Sequence, residues 1–317
     1  MKNTILYIGG AGFIGSRVVK LLKKQKKTRV VVLDNFSSGN LNNIPKTVDT
    51  VVGDVRSQSA VSSTINTFNP TTIVVGFSPN WLVEDKSKIY DAYERNIIGM
   101  VNISENLHLA KQKPKRLVFL SSTSIYKPGE NIIEPGEINY LNPVAHSFKI
   151  AEELLSVNCN VNNISFVSLR IPEVYGGTEL INKDLISFFI NGFLNKEKFI
   201  VYGNKNTVRD FVFVDELAQN LLKIIVNSDI KGILNVGGQA ITLALLIQEI
   251  AKKLGATDEL AYFSKSYGFS YETLYADYSL LKSKDIKFEV KVRDVIDYII
   301  SKIKKNREIQ RKKIGSY

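Results

Sequence analysis

Residues 4–16 read TILYIGGAGFIGS, and this stretch restricts the fold more than any other. A short apolar run enters a glycine turn directly, and the turn opens into an amphipathic segment, Ile14–Lys24. Glycines at positions 9, 12 and 15 allow a tight turn. The start of a helix just beyond it offers backbone N–H donors to an anion. Similar runs recur at Arg29–Leu33, Thr50–Val52, Thr72–Val75, Leu117–Ser121 and Ser165–Leu169. Amphipathic stretches lie between them at Ser59–Phe68, Ile89–Ala110 and Phe148–Val157. Short continuous apolar runs suit strands buried on both faces. Their alternation with helices predicts an α/β fold with a doubly wound parallel sheet.

Beyond residue 170 the pattern becomes irregular, with helices expected near 182–195, 214–227, 242–254 and 291–312. The expected organisation is a domain over 1–170, a smaller lobe over 171–300 partly interleaved with it, and a basic tail over 301–317. No repeat or low-complexity linker interrupts the chain.

The second strand ends VVLDN, which puts Asp34 about 20 residues past the glycine turn, where a carboxylate can hold the hydroxyls of an adenosine ribose. That charge would repel a 2′-phosphate and so favours NAD over NADP. Gly53-Asp54-Val55 ends the third run, and its carboxylate could bond an adenine amino group. The first domain is thus expected to bind NAD.

These residues, taken in order, resemble the extended short-chain dehydrogenase/reductases, the NAD-dependent epimerases and dehydratases of nucleotide sugars. GGAGFIGS and DNFSSGN at 34–40 look most like the UDP-hexose 4-epimerase branch. The resemblance continues through Asn96–Gly99 (NxxG), LSSTSIY at 120–126, VYGG at 174–177, YGNKNTVRDFVFVDELA at 202–218, NVGG at 235–238 and ADYS at 276–279. It implies a Rossmann-like parallel sheet with a smaller mixed C-terminal substrate lobe. On the cofactor side it implies Gly9, Gly12, Phe13, Ile14 and Gly15 at the pyrophosphate, and Asn35, Ser38 and Gly39 beside the ribose. It adds Val55, Gly76, Phe77, Ser78 and Asn96 along the cofactor. Arg209 matches the arginine that grips the sugar nucleotide's diphosphate, a task suited to a planar, permanently charged fork. A homodimer built on helices like Ile89–Ala110 and Phe148–Val157 is likewise expected from the resemblance.

In that family a tyrosine takes a proton from a sugar hydroxyl, helped by a lysine four residues on and by a serine or threonine after the fifth strand. Ser122 fills the serine position and Lys149 the lysine position. Four residues before Lys149 stands Ala145, which has no proton to exchange, and Val144, His146 and Ser147 beside it are not tyrosine either. His146 could serve as the base, since residues three apart share a helix face and imidazole titrates near neutrality. A shifted loop could instead bring Tyr126 or Tyr140 into reach. Otherwise proton transfer is impaired, and the chain is a regulatory or partner subunit that binds NAD and a sugar nucleotide, with Lys149 on the nicotinamide ribose. The substrate side departs too: RIPEVYG carries Glu173 where the resemblance expects an asparagine facing the diphosphate, and a carboxylate there repels phosphate unless protonated or paired. The activity expected of an intact centre is 4-epimerisation of a UDP- or dTDP-sugar.

Composition excludes other classes. The single cysteine, Cys159, and two histidines leave no Cys/His cluster for a metal and fit a reducing, cytoplasmic setting. No apolar run nears the roughly 18 residues that span a bilayer. The net charge of +11 raises an anionic partner, and seven Lys or Arg against one Glu lie between Lys302 and Lys313. A solvated basic tail accounts for that cluster, and nucleic-acid binding would have to act through it.

Overall fold

The computed structural model describes residues 3–77, 88–140, 142–177, 184–264 and 272–314. In chain order its first elements are β1 (Asn3–Ile8), α1 (Gly15–Lys23), β2 (Thr28–Asp34), β3 (Asp49–Val52), α2 (Gln58–Phe68), β4 (Thr72–Val75), α3 (Lys88–Tyr93), α4 (Gly99–Leu109) and β5 (Arg116–Ser122). Then come β6 (Gly129–Ile132), α5 (Pro143–Val161), β7 (Ser165–Ile171), β8 (Glu173–Tyr175), α6 (Leu185–Asn195), β9 (Phe199–Tyr202) and β10 (Val208–Phe213). The last are α7 (Val214–Val226), β11 (Gly232–Asn235), β12 (Gln239–Thr242), α8 (Leu243–Leu254), β13 (Ala261–Ser264), β14 (Leu274–Ala276), α9 (Ser279–Lys282) and α10 (Val292–Ile314).

Seven strands form the main sheet in the order β11-β7-β5-β4-β1-β2-β3, and every pairing is parallel. The strands inside this sheet bury both faces, and their successive residues divide accordingly, whereas the edge strand β3 stays largely exposed. Ile5, Tyr7, Val30, Val32, Val74 and Val118 pack in one cluster with Val18 and Leu22 of α1 and Leu217 and Leu221 of α7. Leu6, Ile8, Val31, Leu33, Ile73 and Phe119 pack in the opposite cluster with α2, α4 and α5. The expected doubly wound sheet is present. Its order reverses between β1 and β4, the position where open α/β sheets hold ligands beyond the carboxyl ends of their strands.

A third cluster joins α6, α8 and α10 to Phe199, Phe211 and Ile241. A small mixed sheet runs β12-β10-β14-β6, with β8 paired to β10, and β13 pairs with β9. Elements are exchanged between the halves: β11 and α7 complete the main sheet and its helical layer, while β6 joins the small sheet. Residues 301–314 continue α10 without a break. Ile303 is fully buried, and Arg307 bonds the Asn191 and Asn195 side chains of α6.

Two helices differ from expectation. The stretch 89–110 is divided by a π turn over Glu94–Ile98. Helix α5 starts at Pro143 because the Asn142 side chain accepts the N–H groups of Val144 and Ala145, and proline suits the first helical position. Among the described residues no helix is long and apolar enough to cross a membrane, and no group of three His, Cys, Asp or Glu could hold a metal ion.

Candidate functional site

The glycine turn sits at the carboxyl end of β1, against the end of β4. Gly9 has φ +82°, and a Cβ there would lie 2.8 Å from the Phe77 backbone nitrogen. A Cβ on Gly15 would lie 2.5 Å from the Gly9 carbonyl oxygen, so α1 could not approach the turn with any larger residue. Gly76 is likewise pressed on the Tyr7 ring, and Gly39 on the Ala11 backbone. Gly12 is less crowded, its nearest neighbour being the Gly9 oxygen at 3.5 Å. Ile14 caps α1 without a side-chain hydrogen bond, and no acid occupies the first turn, which leaves the helix N-terminus open to an anion. Phe13 lies between the Arg17 guanidinium, 5.0 Å from its ring centre, and Gly177. Arg17 also bonds Asp215 at the start of α7.

Asp34 is nearly buried at the end of β2. One carboxylate oxygen accepts the Ala11 N–H at 2.8 Å, and the other accepts the Phe36 N–H at 2.8 Å. A single carboxylate therefore holds the glycine turn to the loop after β2, and its remaining lone pairs are available to ribose hydroxyls. Asn35 and Ser38 are exposed along that loop. Ser78 lies outside the described residues.

Asp54 is chelated by Arg56, whose Nε and Nη2 bond its two oxygens at 3.0 and 2.8 Å. Asn35 adds a third bond at 2.7 Å. The Arg56 hydrogen bonds hold the Asp54 carboxyl well below the usual carboxylate range despite partial burial. Arg56 also reaches Asp91 and Glu94, tying this rim to α3 and the π turn. Val55 is buried beneath Gly99. Asn96, buried in the π turn, donates to Ser147 Oγ at 2.9 Å, and its own Oδ1 has no hydrogen-bond partner among the described residues.

At the other end, Ser122 Oγ accepts the Ser124 N–H at 3.1 Å and lies 2.9 Å from Ser124 Oγ. Lys149 Nζ is 3.2 Å from Glu153 and 3.5 Å from Glu152. Ala145 is wholly buried. His146 Nδ1 is 2.9 Å from the Tyr93 hydroxyl, and the Tyr140 ring lies 4.6 Å from its own. The side-chain bonds of Ser122, Lys149 and His146 thus run to three different sets of neighbours. Tyr126 is buried with its hydroxyl donated to Asn235 at 2.6 Å and the Arg170 guanidinium 4.7 Å from its ring. Burial pushes the Tyr126 phenol up, though Arg170 opposes this, so it is a poor proton acceptor.

Sequence reasoning passed over the buried pair beneath these residues. Arg170 bonds Glu152 at 2.6 and 3.2 Å, Ser168 donates to the same carboxylate, and Arg170 also reaches the Pro135 carbonyl. Burial would raise the Glu152 carboxyl, but Arg170 and Ser168 outweigh it and hold it below the usual value. The available signal was an arginine inside the run SFVSLRI, whose other residues are apolar or serine. Tyr93, three residues before Asn96, was also missed.

In the substrate lobe, Glu173 on β8 and Arg209 on β10 form an ion pair with N–O 3.7 Å. The carboxylate that would repel a diphosphate is paired with the cation expected to attract it.

Residues 5–237 match the sequence model of the NAD dependent epimerase/dehydratase family, and the chain belongs to that family. It is 29% identical over 311 residues to a putative UDP-glucose 4-epimerase of Methanocaldococcus jannaschii, covering 95% of this chain and 99% of that protein. It is 26% identical over 261 residues to UDP-glucuronic acid decarboxylase 3 of Arabidopsis thaliana, covering 79% and 74% of the two chains. The crystal structure of Thermus thermophilus UDP-glucose 4-epimerase in complex with NAD superimposes with a TM-score of 0.82 at 25% identity, over 95% of this chain and 99% of that one.

Proposed function

We propose that this member of the NAD dependent epimerase/dehydratase family binds NAD across the carboxyl ends of β1, β2 and β4 and acts on a UDP- or dTDP-sugar held under the substrate lobe. The observation that carries this reading is the cradle at Gly9 and Gly15, where no Cβ fits, locked by Asp34 to the loop beside it. The α1 N-terminus and its turn would take the pyrophosphate, Asp34 the adenosine ribose, and Asn96 Oδ1 would gain a missing partner from the cofactor's nicotinamide side. NAD supplies a reversible hydride acceptor. Ser122 would hold the sugar hydroxyl, and Lys149 would reach the nicotinamide ribose on swinging from Glu152 and Glu153. His146 would receive the proton, passed through the Tyr93 hydroxyl it already contacts. Arg209 would grip the diphosphate.

A second reading, a regulatory or partner subunit that binds both molecules without turnover, is favoured by the commitment of Lys149 to two carboxylates and by the apolar residues at Val144 and Ala145. Purified protein incubated with NAD and UDP- or dTDP-sugars, followed by NMR of the sugar, separates the two. Turnover abolished by His146→Ala supports the enzyme, and bound NAD with every sugar unchanged supports the binder. Either form would work as a cytoplasmic homodimer. Exposed Ile98, Val101, Leu109, Val157 and Val161 on the outer faces of the π turn, α4 and α5 support that assembly.

A further inference from the structure

We propose that Glu173 is a specificity-determining residue of the substrate lobe, a built-in counter-charge that a phosphate-bearing ligand must displace from Arg209. This rests on the reading of Arg209 as the diphosphate grip. Strand β8 lies parallel to β10 with Glu173 opposite Phe211. Arg209 is two residues before Phe211, so it projects from the same face of the sheet as Phe211 and the Glu173 beside it. Glu173 is half exposed, whereas Arg209 is only 16% exposed, so the guanidinium is largely withdrawn from water and the carboxylate stands at its mouth. At 3.7 Å the contact is an ion pair too long for a good hydrogen bond, and such a contact opens readily. Asp184, whose carboxylate accepts the Ser187 N–H and hydroxyl, lies within electrostatic reach of Glu173. Burial pushes the Asp184 carboxyl up to about 6, and the charge on Glu173 is among the contributors.

A ligand phosphate approaching Arg209 therefore meets a carboxylate already in its place. It must break the ion pair and then remain beside the displaced negative charge. Ligands are ranked by how little charge they bring to this point, so a sugar-linked diphosphate is preferred to the free nucleoside diphosphate with its additional charge. A neutral residue at 173 would lift that discrimination.

The test is calorimetric titration of the NAD-loaded protein with uridine, UMP, UDP and UDP-glucose, for the native chain, Glu173→Gln, Arg209→Gln and the double variant. Glu173→Gln is expected to bind UDP about tenfold tighter, equivalent to about 1.4 kcal/mol. UDP-glucose should gain less than UDP, and uridine should change less than about twofold. In the Arg209→Gln background the Glu173→Gln gain should shrink, because Glu173 and the ligand phosphate compete for the Arg209 guanidinium and without it there is no ion pair to break. A merely structural role for Glu173 would shift all four ligands alike, and that result overturns the proposal. Weaker UDP binding by Glu173→Gln overturns it as well. If native and Glu173→Gln proteins both bind NAD but none of the uridine ligands or their thymidine counterparts, the nucleotide-sugar reading fails and takes this proposal with it. If the native protein binds them and Glu173→Gln changes nothing, the proposal alone fails.

Discussion

Asp34→Asn is a one-atom change at the point where the cofactor cradle is locked. In the native chain its two oxygens accept the N–H groups of Ala11 and Phe36, both at 2.8 Å. Hydrogen bonds to a charged acceptor contribute about 1.5–3 kcal/mol each. Asparagine keeps one carbonyl oxygen, so one of the two bonds survives in weakened, neutral form. The other is replaced by an amide NH2 facing a backbone N–H, donor against donor. The loss is therefore about one charge-assisted bond, 1.5–3 kcal/mol, felt by the Gly9–Ile14 turn and the loop at 35–39. Because those segments must be ordered to receive NAD, the cost appears in its affinity, which should fall by roughly 10- to 100-fold. Isothermal titration with NAD measures this, and thermal melting in its absence shows whether the body of the fold is intact. The preference for NAD over NADP should also narrow, since the charge opposing a 2′-phosphate is gone. NAD affinity within twofold of native would mean that the turn holds its shape without Asp34, and the reasoning would be refuted.

Gly15→Ala places a methyl 2.5 Å from the Gly9 carbonyl oxygen, backbone against backbone, and should weaken NAD binding at least tenfold in the same titration. Glu152→Gln leaves the fully buried Arg170 without its counter-charge and should cost about 3–5 kcal/mol in urea unfolding. Replacing both residues with methionine should recover much of that cost, and a loss under about 1 kcal/mol for the single change would contradict the role assigned to the pair. Asp210 has its carboxyl pushed up to about 7 by burial, partly offset by backbone N–H groups of Ala276 and Phe211. Its native form holds a proton that the unfolded chain releases above about 4, so stability contributed here falls as pH rises from about 4 to about 7 and then levels off. Asp210→Asn should melt higher than the native protein above pH 7, with the difference closing below pH 4; a constant difference across that range would count against the assignment.

How much of the fold could be read from the chain depends on how each element is buried. Five of the six strands read from sequence are largely apolar and buried, as Ile5–Ile8 and Val30–Leu33 illustrate, while the edge strand β3 leaves Val52 exposed. Strand β11 escaped because its exposed first residue, Gly232, and its last, Asn235, shorten the apolar run to Ile233 and Leu234. The strands of the substrate lobe are three to six residues long and mix polar with apolar side chains, so neighbours in space, not local pattern, define them. The tight glycine turn and its tie to Asp34 were legible because they depend on glycine spacing and one acid at the end of the next strand, all local features. Glu173 was legible as an anomaly, but its pairing with Arg209 needed the β8–β10 contact, which joins residues 36 positions apart.

The catalytic end is harder to read because a helix turns by about 100° per residue, so a shift of one position selects a different wall of the site. Along α5, Phe148 packs on the Phe119 ring of β5 at 6.2 Å, Ser147 meets Asn96 on one side, and Lys149 meets Glu152 and Glu153 on the other. Counting back four residues from Lys149 gives Ala145, and counting back four from Phe148 gives Val144; both are apolar and buried. Val144 and Ala145 thus face the apolar interior, and neither has a proton to exchange. The lysine nevertheless remains at the first two turns of α5, held at 16% exposure by carboxylates three and four residues on. If it serves a ligand it must exchange those partners for a ribose hydroxyl, a trade of a charged acceptor for a neutral one. Glu152 would keep its compensation from Arg170 after such an exchange, which links the buried ion pair to the residues above it.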